Sequence, residues 1–253
     1  MSDLVNNQPK KFKLDARKPV TIVPIVGSTR SDILSQARRI NQTECGLVEW
    51  RLDYYDQASD RESVKELIWD LAERLRQPLL VTLRSQAEGG QFPLTPGDYQ
   101  AIISHVIQTG ACQAVDIEYQ QLAHLDQDLI SLAHQAGVQV VLSNHDFHQT
   151  PDQVEMVDRL LAMAQTAAVI CKLAVMPQTP GDVLALLNAT YQASQTVDKA
   201  LITMAMGDLG LVSRLAGHLF GSAASFASLG QASAPGQIDL ADLTAVLNLL
   251  KKH

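Results

Sequence analysis

The chain has 253 residues, a formal net charge of −7, 46% apolar and 19% charged residues, the balance of a globular protein with enough chain for one large α/β domain or two small ones. An acidic surface without a Lys/Arg stripe argues against nucleic-acid binding. No stretch reaches membrane-spanning length and the start, "MSDLVNNQPKKFKLD", has no apolar signal core, which reads as a cytoplasmic protein with no membrane partner.

Residues 1–18 are polar and read as an N-terminal extension, with a hairpin closing the bottom of the barrel as its candidate form. From there short β-branched runs alternate with longer amphipathic ones. Strands are expected over 20–26 ("VTIVPIV"), 46–52 ("GLVEWRL"), 79–84 ("LLVTLR") and 114–119 ("AVDIEY"), then over 138–144 ("VQVVLSN"), 168–175 ("AVICKLAV"), 200–206 ("ALITMAM") and 222–228 ("SAASFAS"). Helical patterns lie between them. In 61–75, Val64, Leu67, Ile68, Leu71 and Leu75 share one face, and "TPGDY", "TPDQ" and "TPGD" carry the capping residues and early prolines of helix starts near 98, 153 and 182. Strand and helix alternating about eight times in roughly 250 residues predict a single-domain α/β fold, a (β/α)₈ TIM barrel over 19–253. A doubly wound open sheet is the competitor, but no Gly-rich turn follows the first strand. Cys45, Cys112 and Cys171 are far apart, lie in or beside apolar runs and show no CxxC spacing, so they are expected to be buried thiols.

In such a barrel, chemistry gathers at the C-terminal ends of the strands. Strand two ends in "EWRLD", setting Glu49, Arg51 and Asp53 on one face; these three could also simply pair with one another. Strand three leads to Arg84 and then Glu88 in a glycine-bearing loop, strand five ends at His145, and strand six carries Lys172. The loop after strand seven delivers Arg214, and the one after strand eight offers Ser233 and Gln237. Asp116 and Glu118 on strand four fit a structural charge network and are set outside the active residues. His105, His124, His134 and His218 fall in helical stretches and His253 is terminal, so they read as surface residues. His145 and His148 with Asp146 raise a metal site, but two imidazoles without a third partner make a weak one, and no metal is expected. "GDLG" at 207–210 could cradle a phosphate. Asp208 would repel it, so a carboxylate held by Arg214 is the better reading.

Lys172 stands in the middle of an apolar strand, where the pattern asks for Val or Ile. Its side chain could snorkel to water; alternatively, burial disfavours the ammonium form. An unperturbed lysine is free amine in roughly one molecule in 2,500 at pH 7, and a downward shift of ~3 units raises that to about a third. A neutral amine, a histidine at the neighbouring strand's end and several arginines form a kit for imine chemistry on an anionic, polyhydroxylated carbonyl compound.

The motifs "EWRLDYY", "TLRSQAEGG", "VVLSNHDFHQTP", "KLAVMPQT" and "SRLAGHLFGSAASFASLGQASAPGQI" together resemble the type I 3-dehydroquinate dehydratases of the shikimate pathway, over about residues 20–250. The resemblance implies Lys172 as the Schiff-base lysine, His145 as general acid/base and Glu88 as the glutamate that orients it. It implies Glu49, Arg51, Arg84, Arg214, Ser233 and Gln237 as substrate-binding residues, 3-dehydroquinate as substrate, no cofactor, and a homodimer. One departure is visible: some members have a substrate-contacting serine near the end of the first strand, where this chain has Pro24, and nearby Ser28 is the candidate replacement. Two other readings stay open. One is another lysine-dependent barrel lyase, such as a class I aldolase; the other is a catalytically dead barrel serving as a scaffold.

Overall fold

In a computed structural model, which describes residues 13–230 and 232–250, every expected strand is present. The order is β1 (Val20–Ile25), α1 (Arg30–Ile40), β2 (Leu47–Arg51), α2 (Arg61–Arg74), β3 (Leu79–Thr82), α3 (Pro96–Gln108), β4 (Ala114–Glu118) and α4 (Leu129–Gln135). It continues with β5 (Gln139–Asp146), α5 (Gln153–Gln165), β6 (Ile170–Val175), α6 (Pro180–Ser194), β7 (Ala200–Ala205), α7 (Leu211–Ala216), β8 (Ala224–Ser228), β9 (Ile238–Asp239) and α8 (Leu240–Leu250). The strands are hydrogen-bonded in the order β7-β6-β5-β4-β3-β2-β1-β8-β9, and all the pairs are parallel. At the β7–β8 seam a bridge joins Leu201 to Ser222. There the Ala223 N–H donates to the Leu201 carbonyl at 2.7 Å, and the Ser222 hydroxyl accepts the Thr203 N–H at 3.0 Å, replacing a ladder bond.

Two differences from expectation have local causes. β5 runs two residues further than expected, through Asp146, because β6 continues beside it and pairs Ala174 with His145 and Val175 with Asp146. β9 was not expected; this two-residue strand pairs with the end of β8 and turns the chain into α8. β1 pairs with β8 only as far as Ile22, two residues before Pro24, which has no N–H for the ladder.

The period-two alternation sorts the strand residues into two cores. Outward-facing Val23, Ile25, Val48, Trp50, Val81, Val115, Leu142 and Leu173 pack against the helices, which include the Val64, Leu67, Ile68, Leu71 face of α2. Inward-facing Ile22, Leu47, Leu80, Ala114, Val141, Ile170, Ile202 and Ala224 fill the lower barrel. The helix starts form as the sequence suggests. Thr95 with Asp98 and Thr179 with Asp182 make capping boxes with a proline in the first turn, and Asp152 caps α5. The three cysteines are free and buried. The hairpin expected within residues 1–18 falls mostly outside the described residues. Of that segment Leu14 is buried and packs with the lower-barrel cluster.

Candidate active site

Moving up the inward-facing rows, the barrel changes from apolar to polar two residues beyond the apolar layer. Glu49 stands two above Leu47, Thr82 above Leu80, Asp116 above Ala114, Ser143 above Val141 and Lys172 above Ile170. The next step gives Arg51, Arg84, Glu118 and His145. Of these, Glu49, Arg51, Arg84, His145 and Lys172 line a cavity of about 450 Å³ of atom-free space at the C-terminal end of the strands, while Thr82, Asp116, Ser143 and Glu118 stand behind them, bonded to Glu49 or Arg84. All nine residues singled out in the sequence line it: Glu49, Arg51, Arg84, Glu88, His145, Lys172, Arg214, Ser233 and Gln237.

Lys172 is 5% exposed and does not snorkel to water. Its Nζ lies 3.7 Å from Asp116 Oδ2 and 4.6 Å from the centroid of the Phe226 ring. Burial pulls the amine below the ordinary lysine range, opposed by Asp116 and Glu49 and reinforced by Arg84 and Arg51. The result is an amine shifted toward the nucleophilic, neutral form.

His145 Nδ1 sits 2.8 Å from Glu88 Oε2, which leaves Nε2 as the ring nitrogen free for the cavity. Burial, with Arg84, Lys172 and Arg51 nearby, holds the imidazole well below its ordinary value. Burial also pushes the Glu88 carboxyl up to about 8, Glu118 and Asp116 adding to the rise while Arg84 and the Asn144 amide oppose it. The two groups share one hydrogen bond, so a proton taken up by either bears on the other. With the pair's extra proton removed, the carboxylate accepts Nδ1–H and Nε2 presents a lone pair. Asn144 Nδ2 donates to Glu88 Oε1 at 3.1 Å, and Arg159 of α5 donates to the other end of that amide, fixing its orientation. The glycines of "EGG" have a steric reason. Gly89 has φ +84 and a Cβ there would lie 2.4 Å from the Phe147 ring, and a Cβ at Gly90 would lie 1.9 Å from the Arg84 carbonyl oxygen.

The arginines divide into two kinds. Arg84 is 3% exposed and donates to Glu88, Glu118 and Ser143 through Nη1 at 3.2, 3.0 and 3.0 Å, and to Asp116 through Nη2 at 2.9 Å. Burial would lower its pKa, but the three carboxylates outweigh that and raise it well above the usual value. Arg51 forks onto Asp53 with two 2.8 Å bonds and reaches the Ser233 carbonyl at 3.3 Å. Arg214 differs: among the described residues no carboxylate lies within ion-pair distance of it, and its Nε is buried without an acceptor. Nη2 donates to the Pro235 carbonyl at 3.0 Å, and burial alone pulls the guanidinium down to about 10. Neighbouring Ser213 fixes this arginine's place by donating to the Gly210 carbonyl and accepting the Ala205 N–H, which ties α7 to the end of β7. Ser233 and Gln237 bond each other twice, at 2.9 and 2.8 Å, shaping the loop over the cavity.

Several expectations change. Asp116 and Glu118 do form a charge network, but with Arg84 of the cavity wall, so they support the site from behind its lining residues. Glu49 does not pair with Arg51; it accepts the Thr82 hydroxyl at 2.8 Å. Ser28 lines a separate surface groove with Thr29, Arg30 and Asp56, and neither it nor Pro24 lines the cavity. Asp146 caps the backbone N–H groups of His148 and Gln149 at 2.9 and 3.0 Å, and His148 is exposed. Among the described residues no group of three His, Cys, Asp or Glu could hold a metal ion, and no helix is long and apolar enough to cross a membrane.

Residues 21–253 match the family model described as type I 3-dehydroquinase. The 3-dehydroquinate dehydratase of Enterococcus faecalis is 42% identical over 246 residues, 96% of this chain and 97% of that protein. The crystal structure of the Clostridium difficile type I 3-dehydroquinate dehydratase with covalently modified comenic acid superposes with a TM-score of 0.92 at 36% identity, covering 97% of each chain. The Geobacillus kaustophilus 3-dehydroquinate dehydratase gives 0.89 at 36% identity, covering 97% of this chain and 98% of that one.

Proposed function

The chain belongs to the type I 3-dehydroquinase family, hydro-lyases of the shikimate pathway, and from that premise we propose that its own residues dehydrate 3-dehydroquinate to 3-dehydroshikimate through an imine on Lys172. The neutral amine attacks the C3 ketone and water leaves, giving a protonated imine that acidifies the C2 hydrogen. His145 takes that proton through Nε2 as the C–H pair moves into an enamine. It then returns the proton to the C1 hydroxyl, which departs as water while the nitrogen pair re-forms the imine. One base serving both steps acts on one face of the ring, a syn elimination. Hydrolysis frees the product and the lysine. The imine is the electron sink, so no metal or cofactor is required.

Arg214 holds the substrate carboxylate, because it is a buried cation with donors to spare. Glu49, Arg51, Ser233 and Gln237 grip the hydroxyls. Arg84, with its donors already on carboxylates, contributes mainly charge and the placing of Glu88. Glu88 holds His145 in the tautomer that bares Nε2. The observation that carries this reading is the enclosure of one amine and one carboxylate-held imidazole in a single cavity. The covalent ligand named for the Clostridium difficile structure supports a covalent step in such a site. The same reading includes a cytoplasmic homodimer, which light scattering on the pure protein checks.

Purified protein should convert 3-dehydroquinate to a conjugated enoate seen by its ultraviolet absorbance, and Lys172→Met should not. A carbon–carbon lyase working through the same lysine would yield two fragments and no enoate, which would overturn the proposal.

A further inference from the structure

The Lys172 nitrogen must play two opposed parts. It must be neutral to attack a ketone, and cationic once it has become the electron sink. Burial serves the first part, so the second needs an anion within reach of the nitrogen. The carboxylates around the cavity can be sorted by what already occupies them. Glu49 accepts from Thr82. Glu88 is engaged by His145, Asn144 and Arg84. Glu118 accepts from Arg84, the Ser85 N–H and Gln121. Asp116 is fully buried and half occupied. Oδ1 accepts Ser143 Oγ at 2.6 Å and Arg84 Nη2 at 2.9 Å, which pins the carboxyl plane. Oδ2 is buried and has no hydrogen-bond donor among the described residues.

We propose that Asp116 is the counter-ion of the Lys172 imine, its Oδ2 accepting the single N–H that the protonated imine carries. This rests on the reading that Lys172 is the imine nitrogen. In that step the amine and ketone take up one proton and give the protonated imine and water. One amine hydrogen leaves in the water and the other stays on nitrogen, so a single acceptor suffices. Oδ2 lies 3.7 Å from Nζ, outside hydrogen-bond length, so the resting amine is not locked as an ammonium by a direct bond. The Phe226 face lies 4.6 Å from Nζ and also favours a cation there. A buried carboxylate oxygen without a donor is costly to keep, and the imine N–H supplies the missing donor during turnover.

Asp116→Asn is nearly isosteric, and Arg84 keeps Glu88 and Glu118 as partners. Sodium cyanoborohydride reduces protonated imines and spares neutral ones, so its rate of trapping on the enzyme–product complex follows the protonated fraction with pH. The other charged groups facing the nitrogen are unchanged in the variant: Glu49 and Arg51 on β2, Arg84 and Glu88 beyond β3, Glu118, His145 and Arg214. The alkaline midpoint of trapping should therefore fall by at least one pH unit, about a tenfold loss of trapping rate on that limb, with kcat reduced and KM changed less than threefold. A purely structural role would leave the midpoint in place, and an unmoved midpoint overturns the proposal. If the Asn variant does not fold, Ser143→Ala frees Oδ1 of one donor, keeps the carboxylate and should move the midpoint upward; no movement there overturns it equally. Absence of any adduct on Lys172 in the wild type would defeat the imine reading and this inference together, whereas a wild-type adduct with an unmoved variant defeats this inference alone.

Discussion

Replacing Arg214 by methionine should stabilise the ligand-free protein while crippling its affinity. The guanidinium is 2% exposed and, among the described residues, has no carboxylate in ion-pair reach. Burial lowers it to about 10, a fall of more than two pH units that at ~1.4 kcal/mol each is roughly 3 kcal/mol. The sign follows from which form suffers. The folded state binds this proton less tightly than the unfolded chain does, so the cost is present at every pH below the folded value and is relieved above it. Methionine removes that cost and fills a similar volume. It forfeits the bond to the Pro235 carbonyl, worth about 1 kcal/mol. A net gain of about 2 kcal/mol should raise Tm by roughly 4–8 °C for a domain of this size, constant between pH 5 and 9, measured by scanning calorimetry without ligand. The substrate carboxylate then loses its buried partner, at a cost of about 3 kcal/mol or near 100-fold in KM, with kcat changed far less. A variant less stable than wild type by over ~1 kcal/mol, or a KM within threefold, would refute the assignment of Arg214 as an unpaired carboxylate anchor.

Other substitutions separate binding, proton transfer and architecture. His145→Ala should lose turnover by about 10³-fold or more yet still form the covalent adduct, since the amine is intact; near-normal turnover would mean another base. Glu88→Gln should move the acid limb of kcat/KM to lower pH. The base is lost when the Glu88–His145 pair takes up its proton, and the amide removes the carboxylate that favours that uptake; a limb that stays or rises contradicts this pairing. Gly90→Ala puts a Cβ 1.9 Å from the Arg84 carbonyl oxygen, so the loop must shift. Denaturant unfolding should show a loss of about 2 kcal/mol or more, with activity falling further as Arg84 and Glu88 are displaced.

Much of this was legible in the chain because period two is a strong signal in a barrel. The step from Ile170 to Lys172 sets the lysine on the inward row without any knowledge of neighbours. The same rule applied to Ala114 would have sent Asp116 and Glu118 inward. Alternate acidic residues on a strand also suit a structural charge network away from the chemistry, and only the packing around Ala114 and the Arg84 contacts place this network against the cavity wall. What pairs with what was not legible. Glu49, Arg51 and Asp53 share a strand face, yet Glu49 bonds Thr82 of β3 while Arg51 takes Asp53, although the β2–β3 register sets Arg51 beside Thr82 and Glu49 beside Leu80. Ser143, Asn144 and Arg159 gave no separate signal, since their work is to bond other side chains across elements. Ser28 lies off the cavity because the chain leaves β1 toward α1, carrying it to the outer groove.

The central claim is that Lys172 is the covalent nucleophile. Borohydride added to the enzyme with product should reduce the imine to a stable secondary amine, adding one ligand mass to the peptide that contains Lys172. Exposed lysines, which are mostly protonated at pH 7, should stay unlabelled, and Lys172→Met should take up no mass while still binding product. Mass on any other lysine, or full turnover by Lys172→Met, would contradict the account.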